Sequence, residues 1–385
     1  MSATTTEREV TLGPTGTPAE RFTSRNPDDF PHPHGREEEW RFTPVRDIRP
    51  LFEPFEPDAR ISGDVQASDG VTWEITGTDD PRVGRVLQPA DRISALAFRN
   101  APQAFVLQVA AGRELAEPVF VHGKVEPGHA YEHMVIEAGA NARATVVVDY
   151  AGHATVAENV EIVVGDGAHL TVVSVQDWDS GAQHVSAHQA SIGRGATLRH
   201  IVVDLGGSLV RLSPAVRFAG PGGHAELLGV SFAGNGQHLE SRLYIDHGVP
   251  DCTSDVLYKN ALLGDSARTV WIGDVRIRPP ATGTNTYEMN RNLLLSDGAR
   301  ADSVPNLEIE TGDIAGAGHA SATGRFDDLQ LFYLQSRGIP EEQARRLVVR
   351  GFFADVVQRI GVPDLEHRIM TAIEARLGYT LETPA

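Results

Sequence analysis

The fold class that the sequence predicts is mainly β: a right-handed parallel β-helix core, with a small N-terminal α/β region before it and a C-terminal helical domain after it. Three observations carry this. Glycine turns at Gly167 (Gly-Asp-Gly-Ala-His-Leu), Gly195 (Gly-Arg-Gly-Ala-Thr-Leu) and Gly222 (Gly-Pro-Gly-Gly-His-Ala) stand roughly 28 residues apart, the length of one solenoid coil. Each turn feeds a short β-branched run too short to bury its own apolar face. After Arg325 the strand-like pattern gives way to helical spacing.

Taken in order, residues 1–34 are rich in Thr, Pro, Gly and Asp, lack sustained apolar periodicity and read as a solvated, disordered tail. His32 and His34 bracket Pro33 there, and a solvated loop is the better reading of them than a weak metal site. Order is expected from Arg36-Glu37-Glu38-Glu39-Trp40-Arg41-Phe42-Thr43-Pro44, which opens an α/β region over 35–100. The β-helix is expected over 101–324, on strands such as Ala144–Tyr150, Leu170–Val175 and Leu198–Val203. Stacked coils join such faces into one core, and glycine suits the corners because it reaches positive φ without a Cβ clash. A β-sandwich with irregular loops is the alternative, whereas a left-handed hexapeptide solenoid would need a six-residue apolar beat that is absent.

The segment 325–385 reads as helices. Ala344, Leu347, Val348, Gly351, Phe352 and Val356 form one apolar stripe, and Leu365, Ile369, Ile373 and Leu377 recur every fourth residue. Pro340 and Pro363 stand where helices would begin, a position that tolerates a missing N–H.

The 385 residues, 41% of them hydrophobic, suffice for a large core. A formal charge of −18 argues against nonspecific nucleic-acid binding and against docking on anionic membrane, since both need a basic footprint. Met1 to Asn26 lacks a basic-then-apolar leader pattern and no run approaches the length of a membrane span, so the expected compartment is the cytoplasm. Cys252 is the only cysteine, which rules out an intramolecular disulfide and leaves any cysteine-ligated metal or cluster site incomplete on this chain alone. Following Pro250-Asp251, it reads as a lone structural thiol.

Familiar catalytic spacings are missing: no phosphate loop, no His-Glu-x-x-His, no Gly-x-Ser-x-Gly elbow and no dinucleotide fingerprint after a strand. A β-helix polysaccharide lyase or hydrolase is the rival reading, with Asp204 and Asp177 as its acid and base. No paired carboxylate pattern recurs on one face, so a solvated surface is the simpler account of both. His319, between Gly318 and Ala320, has little steric cover; it either caps the last coil or offers a nitrogen to a metal or a neighbouring chain.

Several stretches together resemble the SufB/SufD family of iron-sulfur cluster assembly proteins. They are Glu38-Glu39-Trp40-Arg41-Phe42-Thr43, Asn285-Thr286-Tyr287-Glu288-Met289-Asn290-Arg291-Asn292-Leu293-Leu294-Leu295, the run from Pro305 through Gly318-His319-Ala320-Ser321-Ala322-Thr323-Gly324-Arg325, and Phe332-Tyr333-Leu334 to Arg337-Gly338-Ile339. The likeness covers roughly residues 36 to 380. The family's Cys-Ser-His-Gly-Ala-Thr-x-Gly places His319 on the histidine and Ala317 on the cysteine. The single cysteine, the short chain and the abbreviated N-terminal region resemble the SufD branch rather than SufB.

The resemblance implies a scaffold subunit rather than an enzyme. It would pair with a SufB-like chain, dock a SufC-like ATPase and bind no ATP itself. A nascent iron-sulfur cluster would be shared with the partner, with His319 as the ligand on this side and the thiolate on the other. The resemblance places partner contacts at Phe332, Tyr333, Arg337, Gly338, Leu347 and Phe352. The stretch from Tyr287 to Ile309 is expected to form the pairing edge, with Asn292 and Asn306 on its solvent face. A homodimer in isolation is a further arrangement that the resemblance leaves open.

Overall fold

The computed structural model describes residues 21–326 and 328–378. Strands β1 (Ile61–Gln66) and β2 (Val71–Thr76) precede helix α1 (Arg92–Asn100). The coils begin with β3 (Ala104–Val109), β4 (Val119–Val125), β5 (His129–Ala138), β6 (Arg143–Gly152), β7 (Thr155–Val164) and β8 (His169–Gln176). They continue as β9 (Gln183–Ile192), β10 (Thr197–Asp204), β11 (Leu209–Phe218), β12 (His224–Ala233), β13 (His238–His247) and β14 (Thr253–Leu262). The last are β15 (Arg268–Ile277), β16 (Asn285–Leu294), β17 (Arg300–Ile309) and β18 (Gly316–Arg325). Helices α2 (Asp328–Ser336), α3 (Glu341–Val357) and α4 (Pro363–Arg376) follow.

These strands make a β-solenoid of two nine-stranded sheets, ordered β1-β4-β6-β8-β10-β12-β14-β16-β18 and β17-β15-β13-β11-β9-β7-β5-β3-β2. Each coil gives one strand to each sheet. The glycine corners are as the sequence expects: Gly167, Gly195 and Gly222 have φ of 69°, 60° and 74°. At the N-terminal end β1 and β2 pair antiparallel with β4 and β3. At the other end β17 and β18 are terminal in their sheets, and no described strand follows them.

Successive side chains point alternately to the solenoid axis and to the outer surface. On the axis side Ala144, Leu170, Leu198 and Ala225 stack in register; on the outer side Val147, Val173, Ile201, Leu228 and Leu257 do the same. Both rows are apolar because both are covered, which is why these strands read as continuous β-branched runs rather than alternating ones.

Helices α3 and α4 cover the outer face of the first sheet through Val349, Phe353, Val356, Val357, Ile360, Leu365, Ile369 and Ile373, all buried. A fully buried aliphatic or aromatic side chain contributes roughly 1.5–3 kcal/mol, so this interface belongs to the protein's own core. The stripe expected on α3 therefore needs correcting. The face that meets the solenoid carries Val349 and Phe353, whereas Leu347 and Gly351 lie exposed on another side.

The N-terminal segment covers the second sheet, where Trp40, Ile48, Leu51, Phe52, Ile93 and Leu96 pack on Tyr131, Ala157, Val185 and Leu209. Its acidic and aromatic motif has a specific partner in the buried Arg211. The guanidinium pairs with Glu39, lies 3.1 Å from Glu240, faces Asp91 at 3.6 Å and sits 4.1 Å from the Trp40 ring centroid. Thr43 Oγ1 donates to Glu240 at 2.9 Å.

Of residues 21–34, expected within the solvated tail, part docks on the fold while His32 and His34 stay exposed. Arg21 pairs with Asp274 at 2.6 Å and lies over the Tyr244 ring, and Phe22 meets the buried Phe30 edge to face. Residues 1–20 of that expected tail lie outside the described residues.

Candidate site at the open end of the solenoid

The last coil decides what the C-terminal end can do. Strand β18 is glycine- and alanine-rich, Gly-Ala-Gly-His-Ala-Ser-Ala-Thr-Gly-Arg, a composition with weak strand preference. It is a strand because β16 supplies a complete parallel partner, pairing Glu288 with His319, Asn290 with Ser321 and Asn292 with Thr323. His319 is thus held on a strand. Its direction follows from its neighbours two and four residues away. Ala317 packs into the axial core, and Thr323 accepts a hydrogen bond from the buried Asn292. His319 shares their parity, points to the axis and is exposed because no described coil lies over it.

Beneath this end the interior becomes polar. Asn292 Nδ2 reaches Asn290 Oδ1 at 2.8 Å, Ser303 Oγ at 3.0 Å and Thr323 Oγ1 at 3.0 Å, while Asn260 donates to Asn292 at 2.9 Å. Ser303 Oγ donates to Asn290 Oδ1 at 2.7 Å and ties the two sheets together across the axis. Asn292, expected on the solvent face, is therefore an interior residue, and the strand carrying it is flanked on both sides; the exposed edges are β17 and β18.

Glu288 is the outlier. It is 1% exposed, and neither carboxyl oxygen has a hydrogen-bond partner among the described residues. Burial, reinforced by the nearby charge of Asp274, pushes its carboxyl up to about 8. Space for it comes from Gly273, where a Cβ would collide with Oε2.

The residues expected to meet a partner lie on the tail. Phe332 is 68% exposed, Leu347 51% and Tyr333 57%. Arg337 lies over the Tyr333 ring and donates to its hydroxyl at 3.2 Å. Gly338, at φ 85°, ends α2 in the left-handed conformation, a structural duty. Phe352 is half-buried: Lys259 Nζ donates to its carbonyl at 2.7 Å and to Asp355 at 2.6 Å, fastening α3 to β14.

The other candidates separate. Asp204, expected on a coil surface, is buried against Ser231, and burial lifts its carboxyl to about 7. Asp177 is exposed and bound to Arg376 of α4 at 2.7 Å. One inside the core and one tied to the tail, they share no substrate groove. Cys252 is free and buried, its thiol pushed up by burial. His32 and His34 are exposed and face Glu53 and Glu37. Among the described residues no three His, Cys, Asp or Glu converge on a metal position. No helix among them is long and apolar enough to cross a membrane.

Sequence reasoning gave Glu288, Asn290, Ser303 and Thr323 no role in a site. The signal was present in Thr286-x-Glu288-x-Asn290-x-Asn292, which is polar at every second position where earlier coils are largely apolar.

Comparison with known proteins bears on this geometry. Residues 120–352 match the family model for the SUF system FeS cluster assembly, SufBD core domain. An iron-sulfur cluster assembly SufBD family protein of Mycobacterium tuberculosis is 53% identical over 376 residues, covering 94% of each chain. One from Mycobacterium leprae is 52% identical over 368 residues, covering 93% of this chain and 94% of its own. The iron-sulfur cluster assembly protein SufD of Bacillus subtilis is 28% identical over 267 residues, 68% of this chain and 60% of that one.

Proposed function

Because the chain belongs to the SufBD family of iron-sulfur cluster assembly proteins, we propose that it is the SufD-type scaffold subunit of a cytoplasmic SufB–SufC–SufD complex. It hydrolyses no ATP; that work belongs to a SufC-type ATPase docked on α2 and α3. It pairs with a SufB-type chain at the open solenoid end and shares the nascent cluster there. The observation that carries this reading is His319, which faces the axis in the uncovered last coil, on a strand with one free edge.

The chemistry fits the donor set. An imidazole nitrogen suits iron, but the cluster's thiolates must come from the partner, since Ala317 stands at the neighbouring inward position and Cys252 is buried. The stiff solenoid carries a rigid-body displacement from the tail to this end when the docked ATPase changes state. The exposed Phe332, Tyr333 and Leu347 support the docking assignment, being the apolar surface that the tail leaves uncovered.

His319→Ala is expected to leave folding and complex assembly unchanged, because an exposed side chain contributes little to the core. Iron and acid-labile sulfide bound after anaerobic assembly should fall severalfold, while His367→Ala, on the exposed side of α4, retains the full content. Full cluster content in the His319→Ala complex would remove the residue from the site.

A further inference from the structure

We infer that Glu288 is a second iron ligand of this chain, forming with His319 a carboxylate–imidazole pair at the open end of the solenoid. This rests on the reading of His319 as the cluster-side ligand and adds a residue to it. The two are register partners on adjacent parallel strands, β16 and β18, and both face the axis. Neighbouring strands lie about 4.8 Å apart, so a glutamate and a histidine stacked this way can close on one ion.

A buried carboxyl normally finds a donor, and leaving one without costs stability. Glu288 has none, although Asn290 and Asn292, two and four residues on along the same face, are fully engaged with each other and with Ser303 and Thr323. In the same interior row the preceding coils carry Val146, Val172, His200, Leu227 and Val256. An acid thus enters that row only at the position directly beneath His319. Gly273 clears the volume that the carboxyl occupies, on the strand facing it across the axis. An unpartnered oxygen pair, kept at a cost in stability one strand below a metal-binding side chain, is what a hard-donor ligand looks like before the metal arrives. Carboxylate oxygen and imidazole nitrogen both suit ferrous iron, and two ligands from this chain leave the remaining positions to the partner's thiolates.

The test titrates the full chain anaerobically with Co2+ alone, as a spectroscopic stand-in for Fe2+, and follows its visible absorption. The unmodified chain should bind one Co2+. Glu288→Gln, Glu288→Met and His319→Ala should each weaken binding about tenfold or more, the loss reported for lesser, outer-shell changes at metal sites. Combining Glu288→Met with His319→Ala should cost no more than the worse single change. Glu288→Met should also raise the thermal midpoint of the metal-free chain, because it removes a buried unpartnered carboxyl at similar volume. Intact Co2+ binding in both Glu288 variants alongside loss in His319→Ala overturns the inference while leaving His319 in place. Unchanged binding in all three, or no binding by the unmodified chain up to about 1 mM, overturns it as well. The cluster content of the His319→Ala complex decides the functional reading separately.

Discussion

Joint replacement of Phe332 and Leu347 by aspartate is expected to weaken binding of the SufC-type ATPase by at least about 30-fold, since apolar anchors at an interface centre are worth about 2 kcal/mol or more. Both side chains are more than half exposed, at 68% and 51%, and neither belongs to the core cluster that joins α3 and α4 to the first sheet. Folding should therefore shift by no more than about 0.5 kcal/mol per substitution. A calorimetric titration separates the two effects, and undiminished affinity would take the docking surface off α2 and α3. Phe352→Ala is different in kind: it disturbs the ring beside Lys259 and the anchor of α3 on β14, so its first effect falls on stability.

Arg211→Ala is expected to have the largest effect on the fold itself, about 3–5 kcal/mol, because it leaves Glu240 and Asp91 buried without their cation. The damage should be local, since Arg211 joins the segment around Glu39, Trp40 and Thr43 to β11. Limited proteolysis should cut within residues 35–100 sooner than in the unmodified chain, and the thermal midpoint should fall. Unaltered proteolysis would mean that the apolar contacts of Ile48, Leu51 and Ile93 hold the segment unaided.

The same cluster sets an acid limit. Burial raises the Glu240 carboxyl, but the hydrogen bond from His238 and the charge of Arg211 outweigh it and hold the group down to about 2. A depressed folded value means that its contribution, about 3 kcal/mol from the gap to the unperturbed carboxylate, is complete above pH 4.5 and lost as pH falls toward 2. In Arg211→Ala the gap narrows, so unfolding should begin at higher pH.

The coil period was legible because positive-φ corners need glycine and the corners repeat. Strands of the first sheet could be read from their β-branched runs. Those of the second were harder: β13, His-Leu-Glu-Ser-Arg-Leu-Tyr-Ile-Asp-His, is buried throughout and mixes charge with apolar residues, because its outer face meets Glu39, Thr43 and Arg21 rather than water. Those partners are some 200 residues away, at separations of 204 for Arg242 with Glu38 and 197 for Thr43 with Glu240, and no local pattern encodes them. The docking of Arg21 on Asp274 and Tyr244 escaped notice for the same reason.

On α3 periodicity found a stripe but not which face the solenoid takes, since apolar residues lie on two sides and only the complementary sheet chooses between them. The strand under His319 was not legible because Gly-Ala-Gly-His-Ala-Ser has little strand preference of its own; pairing with β16 overrides it. The position of His319 in the family motif could be read from the sequence. Its inward-facing position, and Glu288 beneath it, became visible only through the register.

Amide hydrogen exchange of the chain, alone and mixed with a SufB-type partner, tests the open-end pairing most directly. Strands β17 and β18 each present an unpaired backbone edge at one end of the solenoid, while β1 and β2 present the corresponding edges at the other, beside the exposed Ile61, Trp73 and Ile75. The expected result is slower exchange on mixing in peptides covering 300–309 and 316–325, with β1 and β2 unchanged. Protection confined to 61–76, or none at either end in a mixture shown by sedimentation to be associated, would contradict pairing through the end that carries His319.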